Sequence, residues 1–260
     1  MLAKLQRGYE LVDTYAKLNL KAEARKTYLG YLWWIIEPLL FVSIFYFVFN
    51  VILDSRKEDF LLFLICGKIP FLWISKSITN SAGSVLQNRG LLAQGGIQPL
   101  MFPLVTLQEN FYKQLPVFVM LLGFALLLGG EPGTSWLWLP ILVIANYLLI
   151  LPIALAGALM TSFVPDIRLL LSLFTMFLMF VSGIFWDIRT VPDPVLQHYL
   201  LVLNPVAFIL DAYRAVLMYG ERPDPVHLAA LCLGSALMLA LVSRLFVIMR
   251  SAINTRVINQ

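Results

Sequence analysis

Apolar residues in this chain come in long runs, not at the spacing of an amphipathic surface helix or strand. A membrane crossing takes about 20 mostly apolar residues, and six stretches meet that length. They are residues 35–53, 60 to about 84, 106–128, 136–160, 169–186 and 226–249. Polar turns punctuate them: Asp54-Ser55-Arg56-Lys57-Glu58-Asp59 after the first, Gly129-Gly130-Glu131-Pro132-Gly133 after the third. Residues 187–225 fit less simply. The part from Tyr199 to Tyr219 is long enough to cross, but Asn204-Pro205 favours a turn. Asp211 and Arg214 are costly in hydrocarbon. The stretch reads as two short helices that dip into the outer leaflet and return, not as a seventh span. Backbone at that depth must be covered by protein or face a water-filled cavity. The expected fold is therefore an all-α integral membrane protein: six transmembrane helices, an interfacial helix before them and short re-entrant outer helices before the last span. One membrane domain fills residues 1–260, divided into 1–30 (interfacial helix), 31–186 (spans one to five), 187–225 (outer segment) and 226–260 (last span and tail).

Charge supports that topology. Of 19 Lys and Arg, thirteen fall where six spans with both termini inside would place the cytoplasm. Five (Arg56, Lys57, Arg189, Arg214, Arg222) fall outside and Lys68 is unassigned. Short-loop Lys/Arg bias sets orientation, and a seventh span would put the basic tail outside. Residues 1–30 do not read as a signal peptide, because charges persist through them without an apolar run. Instead Leu11, Tyr15, Leu18 and Ala22 form an apolar stripe, with Lys17, Lys21 and Arg25 on a neighbouring face. That pattern suits a helix lying on the anionic inner leaflet or an ordinary solvated helix. Charged residues make up 13% and hydrophobic residues 60%, and the mean hydropathy is +0.83. About a quarter charged is usual for a soluble domain. The pI of about 9.1 follows from the flanking lysines and arginines, so no nucleic-acid partner is expected. Cys66 and Cys232 each sit in an apolar run and read as packing residues, not as a disulfide or metal site.

The most informative segment is Tyr28-Leu29-Gly30-Tyr31-Leu32-Trp33-Trp34-Ile35-Ile36-Glu37-Pro38. Tyr and Trp favour the membrane interface, so Tyr28, Tyr31, Trp33 and Trp34 fit an anchoring belt. They also fit a platform on which the apolar face of a pyranose stacks. Glu37 is a carboxylate just inside an apolar run, which marks function or pairing. A basic residue of the first helix or a place along a transport pathway would each explain it, and Pro38 would kink or restart the helix. The second span is unusually polar, with Ser75, Ser77, Thr79, Asn80, Ser81 and Ser84. A hydrated pore wall needs such groups; so does hydrogen bonding between helices.

These segments, in this order, resemble the type-2 ABC exporter permeases, in the branch that exports O-antigen, capsule and teichoic-acid polymers. Three further stretches carry the resemblance. They are Gly67-Lys68-Ile69-Pro70-Phe71-Leu72-Trp73, the connection from Asn80 through Asn88, Leu91-Leu92 and Phe102-Pro103, and Asn204-Pro205 with Tyr213-Arg214. The stretch Ala93-Gln94-Gly95-Gly96-Ile97-Gln98 departs from it, where relatives usually carry lysines. The resemblance implies two copies of the chain around a pore, each gripped by a nucleotide-binding ATPase subunit that holds ATP and magnesium, in the bacterial inner membrane. It implies a substrate pathway along Tyr28, Tyr31, Trp33, Trp34, Glu37, Trp73, Ser77, Asn80, Ser81 and Ser84. ATPase coupling falls to Gln87, Asn88, Arg89, Leu91, Asp166 and Arg168. An outer gate falls to Asn204, Pro205, Asp211, Tyr213 and Arg214. The expected function is movement of a lipid-linked surface polysaccharide across the inner membrane.

The chain has no phosphate-binding G-x-x-x-x-G-K-[ST] loop; residues 129–135 lack the lysine. No cofactor or metal is expected in it. His198 and His227, its two histidines, have no nucleophile or metal-ligand spacing around them. An exporter of small lipophilic compounds would share the topology but should have a less polar second span. A membrane-embedded transferase acting on a polyprenyl-linked sugar would need clustered acids or a histidine base, and the acids here are scattered. A purely structural partner protein remains the residual alternative.

Overall fold

In hydrocarbon every peptide N–H and C=O needs an internal partner, and a helix supplies one within the segment itself. The computed structural model describes residues 2–52, 59–130 and 132–258, and among these the regular elements are all helical. In chain order they are α1 (Leu2–Ala24), α2 (Trp33–Tyr46), α3 (Phe60–Ala82), α4 (Ser84–Gln87), α5 (Arg89–Ala93) and α6 (Met101–Leu127). Then follow α7 (Leu139–Phe163), α8 (Ile167–Val181), α9 (Pro194–Leu203), α10 (Pro205–Leu217), α11 (Pro225–Ile248) and α12 (Arg250–Ile258). Arg56, Lys57, most of the polar loop before α3, and Glu131 lie outside the described residues.

Four helices are long and apolar enough to cross a membrane: α3, α6, α7 with the 3₁₀ turn before it, and α11. Two of the six expected spans are shorter. The first is α2, which continues as a π-helix over Phe47–Ile52 and so keeps a helical run of crossing length. It passes through Pro38 without a break, where a kink or restart was expected. The other is α8, whose 15 residues span about 22 Å. The expected span ran to residue 186, but the helix stops at Val181. Gly183 adopts φ +72, the left-handed conformation that closes helices, and the Trp186 indole donates back to the Phe180 carbonyl at 2.8 Å.

Residues 187–225 hold two short helices, α9 and α10, bent by 106° at Asn204. A single straight crossing is thereby excluded. The helices α9, α10 and α11 begin with the same device, Asp193-Pro194, Asn204-Pro205 and Asp224-Pro225. The side chain accepts from the second helical N–H (Val195, Val206 and Val226), and proline takes the first position, where its missing N–H costs nothing. Asn204-Pro205 is thus both the turn between α9 and α10 and the cap of α10.

The bundle is built around α3. Its most apolar stretch is 72% buried, against 28% for α6 and 17% for α11. It packs on α2, α6, α7, α8 and α10. Two basic residues are held inside. Arg214 of α10, expected in the outer segment, is 1% exposed. It donates to the carbonyls of Phe63 and Ile184, each at 3.3 Å, and its guanidinium lies 3.6 Å from the Phe63 ring centroid. Lys68 is also buried. Its ammonium sits 5.0–5.7 Å from the ring centroids of Phe41, Phe45 and Phe71 and 3.0 Å from the Met179 sulfur, tying α2, α3 and α8 by cation–π attraction.

The helix α1 lies along α6. Ala16 and Leu20 are buried there, and three polar pairs fasten it: Tyr112 to Asp13, Asn19 to Glu109 at 2.7 Å, and Lys113 to Glu23 at 2.6 Å. Hydrogen bonds from Lys17 and from Tyr112 hold the Asp13 carboxyl below its ordinary pKa. The stripe Leu11, Tyr15, Leu18 and Ala22 is not the face that docks; it stays exposed.

Gly67 on α3 owes its identity to Arg214. A Cβ at that position would stand 2.4 Å from the guanidinium. Alanine for glycine inside a helix ordinarily stabilises by about 0.5–1 kcal/mol. Gly67→Ala should instead destabilise by about 1–3 kcal/mol, read as a lower thermal unfolding midpoint, and lose much of that penalty in an Arg214→Ala background. An unchanged or raised midpoint would contradict this packing.

Candidate functional site

Where α2 begins, α3 ends and α6 passes α1, the helices leave a cavity of about 300 Å³. Trp33, Trp34 and Glu37 come from α2; Trp73, Lys76 and Asn80 from α3; Asn110, Lys113 and Gln114 from α6; and Glu23 from α1. Helical spacing explains the convergence. Residues 33, 34 and 37 share one side of α2. Residues 73, 76 and 80 step by three and four along α3, as 110, 113 and 114 do along α6.

Two ion pairs cross this cavity, Lys76–Glu37 at 2.5 Å and Lys113–Glu23 at 2.6 Å. Glu37 is therefore paired across to α3, not to the first helix as one expectation had it. Both pairs are substantially exposed, a setting in which an ion pair contributes only about 0–1 kcal/mol. Asn80 donates to the Asn110 side-chain carbonyl at 3.3 Å. The Trp73 indole N–H and the Asn110 amide N–H are buried without a partner among the described residues. A buried donor left unpaired is costly, and here two such donors belong to residues that line one cavity.

The aromatic collar continues outward from this cavity. Two further spaces, of about 240 and 510 Å³, are lined by Glu23, Trp33 and Trp34 and by Tyr28, Tyr31, Trp34 and Pro116 respectively. Trp34 borders all three and is braced edge-on by Tyr31, with ring centroids 4.8 Å apart. Tyr28 is fully exposed and Trp33 is 41% exposed, so the row of rings is accessible.

Not every expected pathway residue joins it. Ser77, Ser81 and Ser84 are enclosed by this chain's own helices at 0%, 0% and 2% exposure. That placement fits interhelical packing, not a conduit wall. They face the inside of the bundle because α3 is its central helix, whereas its neighbour Asn80 is exposed. Trp73 belongs to both settings. It is 2% exposed, stacked on Tyr147 with centroids 5.8 Å apart and edge-on to Phe118.

The expected coupling residues lie at the same end of the bundle. Arg168 and Gln87 both reach Gly83, within 3.2 and 2.9 Å of where its Cβ would be, so the α3–α6 and α7–α8 connections meet there. Asn88 donates to the Ser84 carbonyl at 2.8 Å. Arg89, Leu91 and Asp166 are exposed. The tail after the last span forms α12, which packs on α5 and α7 and buries Ile253 and Val257 completely. The four-residue spacing of those two apolar residues was the signal for it. Sequence reasoning also missed Lys76, Asn110, Lys113 and Gln114 as cavity residues. Their recurrence at three and four on helices of the same polarity was legible, but their partners were not.

The expected gate residues lie at the opposite end, and they hold α10 in place. Asn204 caps it and donates to the Ser182 hydroxyl at 3.0 Å. Asp211 receives both the Nε and Nη2 of Arg189, at 3.0 and 3.3 Å, while Glu221 takes Nη1 at 2.8 Å. Partial burial opposes the Arg189 charge, but these carboxylates outweigh it and hold its pKa above the ordinary arginine value. Tyr213 and Arg214 are buried, Tyr213 stacking on Phe118. Pro205 also lines a crevice between α7, α9 and α11.

No protein-family model matches the chain. Curated proteins do. The O-antigen export system permease protein RfbA of Klebsiella pneumoniae is 26% identical over 213 residues, covering 82% of each chain. The protein of the same name from Myxococcus xanthus is 25% identical over 239 residues, 91% of each. The polysialic acid transport protein KpsM of Escherichia coli is 25% identical over 231 residues, 85% of this chain and 88% of that one. With its long apolar helices and over more than four fifths of its length, this chain is a multi-pass membrane homologue of polysaccharide export and transport proteins.

Proposed function

We propose that this chain is the permease subunit of an ATP-driven exporter that moves a lipid-linked polysaccharide of the O-antigen or capsule kind across the bacterial inner membrane. The observation that carries this reading is the ring-lined row of cavities from Tyr28 to Asn80. Indole and phenol faces there alternate with carboxylates, ammonium groups and carboxamides. Apolar C–H faces and hydroxyls are what a sugar presents, and aromatic planes with amide and carboxylate hydrogen-bonding groups match both. A non-directional stacking contact also lets a polymer slide from one ring to the next. The names of the relatives point to the same class of cargo.

In this proposal α2 and α8 complete six spans with both termini in the cytoplasm, and α1 lies on the inner leaflet with Leu11, Tyr15 and Leu18 toward the lipid. Two copies surround the pore. ATP and magnesium act in a separate nucleotide-binding subunit that grips α4, α5 and residues 164–168, with α12 bracing α5 from behind. Its strokes move α3 through Gly83, and the α9–α10 elbow serves as the outer gate. The cargo's sugar end enters at Trp33 and Trp34, and Glu37, Lys76 and Asn80 line its way inward.

Trp33→Ala combined with Trp34→Ala should lower surface polymer at least about fivefold, the cost of about 1 kcal/mol of aromatic contact, while the complex still assembles. Wild-type polymer levels would contradict the stacking role. Lys76→Ala should shift thermal stability by less than about 1 kcal/mol yet impair export. A large loss of stability with normal export in the surviving protein would make the ion pair architectural. The purified chain alone should hydrolyse no ATP, and robust turnover without a partner subunit would overturn the division of labour.

A further inference from the structure

At the end of the bundle away from α4 and α5, the helices α7, α9, α10 and α11 enclose a crevice of about 610 Å³. It lies apart from the ring-lined row, beside the elbow proposed as the outer gate. Its mouth carries His198, Asp224 and His227; its depth carries Leu149, Ile153 and Met238. His227 opens α11 and Met238 lies eleven residues further along it, about 16 Å at 1.5 Å per residue. The crevice thus runs from one membrane surface into the hydrocarbon layer, polar at headgroup level and apolar below. His227 is fixed by stacking on Phe208, with ring centroids 4.0 Å apart. Asp224 accepts from the Val226 N–H with one carboxylate oxygen, leaving the other for a ligand. Midway, Gly234 leaves open space: no atom lies within 4 Å of where its Cβ would be.

We propose that this crevice holds one zwitterionic phospholipid. An acyl chain lies along Leu149, Ile153 and Met238. Its phosphate accepts hydrogen bonds from the imidazoles of His198 and His227, and its ammonium meets the Asp224 carboxylate. The pairing of two imidazole donors with one carboxylate matches a headgroup that carries both charges and disfavours one that carries only the anion. Val202 and Pro205, on the two arms of the α9–α10 elbow, also line the crevice. The bound lipid therefore packs against the 106° bend.

Native mass spectrometry of the complex, released from bilayers of equal phosphatidylethanolamine and phosphatidylglycerol, tests this without any export readout. The wild-type chain should keep one phosphatidylethanolamine in preference to phosphatidylglycerol by about tenfold, one decade per charge-assisted contact. Gly234→Leu fills the crevice without meeting another atom at Cβ, so it should fold with an unchanged unfolding midpoint in lipid-free detergent. It should lose the retained lipid about tenfold or more. Asp224→Asn, which can still cap α11, should keep a lipid but lose the preference for phosphatidylethanolamine. Equal retention by Gly234→Leu and wild type would overturn the site, and indifference of the wild type to headgroup would overturn the zwitterionic assignment.

Discussion

A helix that carries lysines, serines and asparagine can stay in a bilayer only if other protein surrounds it, and that constraint organises this molecule. The helix is α3, and the rest of the chain is wrapped so that its polar groups meet protein before they meet lipid. Toward one end, Arg214 reaches in from α10 over Gly67 and satisfies two carbonyls. Near the middle, Lys68 is shielded by three rings and a methionine sulfur. Toward the other end the wrapping opens, and Lys76 and Asn80 face a cavity with Glu37 and Asn110. The same helix thus provides the core and, where its cover stops, the polar wall of the candidate site.

Much of the architecture was legible because lipid solvation leaves a one-dimensional trace. Long apolar runs and Lys/Arg bias need no knowledge of partners, and helices α3, α6, α7 and α11 fall where those runs lie. The α9–α10 bend was legible from Asn204-Pro205, since an Asx–Pro pair both breaks one helix and caps the next. What could not be read was which face of each helix turns inward. Ser77 and Ser81 differ from Asn80 only by rotation around α3, yet the first two are buried and the third is exposed. The stripe of Leu11, Tyr15, Leu18 and Ala22 suits a helix on the inner leaflet or a solvated one, and carries no sign that α1 packs on α6. That docking is set by Asp13, Asn19 and Glu23, whose partners lie 90 or more positions away on α6. The end of α8 was missed because a left-handed Gly183 looks, in sequence, like any small residue in an apolar run.

The two ends of the bundle are built by different chemistry. At one, short Asx–Pro caps and the Arg189–Asp211–Glu221 cluster fix α10 rigidly. At the other, the ion pairs are exposed and individually weak, and Gln87 and Arg168 both close on Gly83 between the short helices and α8. The proposed transport would use that asymmetry, because exposed ion pairs are displaced at little cost. The relatives' roles in moving O-antigen and polysialic acid fit a soft end that is also lined with indole rings.

The central claim is that a sugar polymer touches the ring-lined cavities and not the outer surface of the bundle. It is tested most directly by placing a photo-activated phenylalanine analogue at Trp33, Asn80, Ser77 or the exposed Leu237 in cells making radiolabelled polymer. The account predicts cross-links to the polymer from positions 33 and 80, and none from 77 or 237. Labelling from 237 as strong as from 33, or from 77 but not from 80, would contradict it.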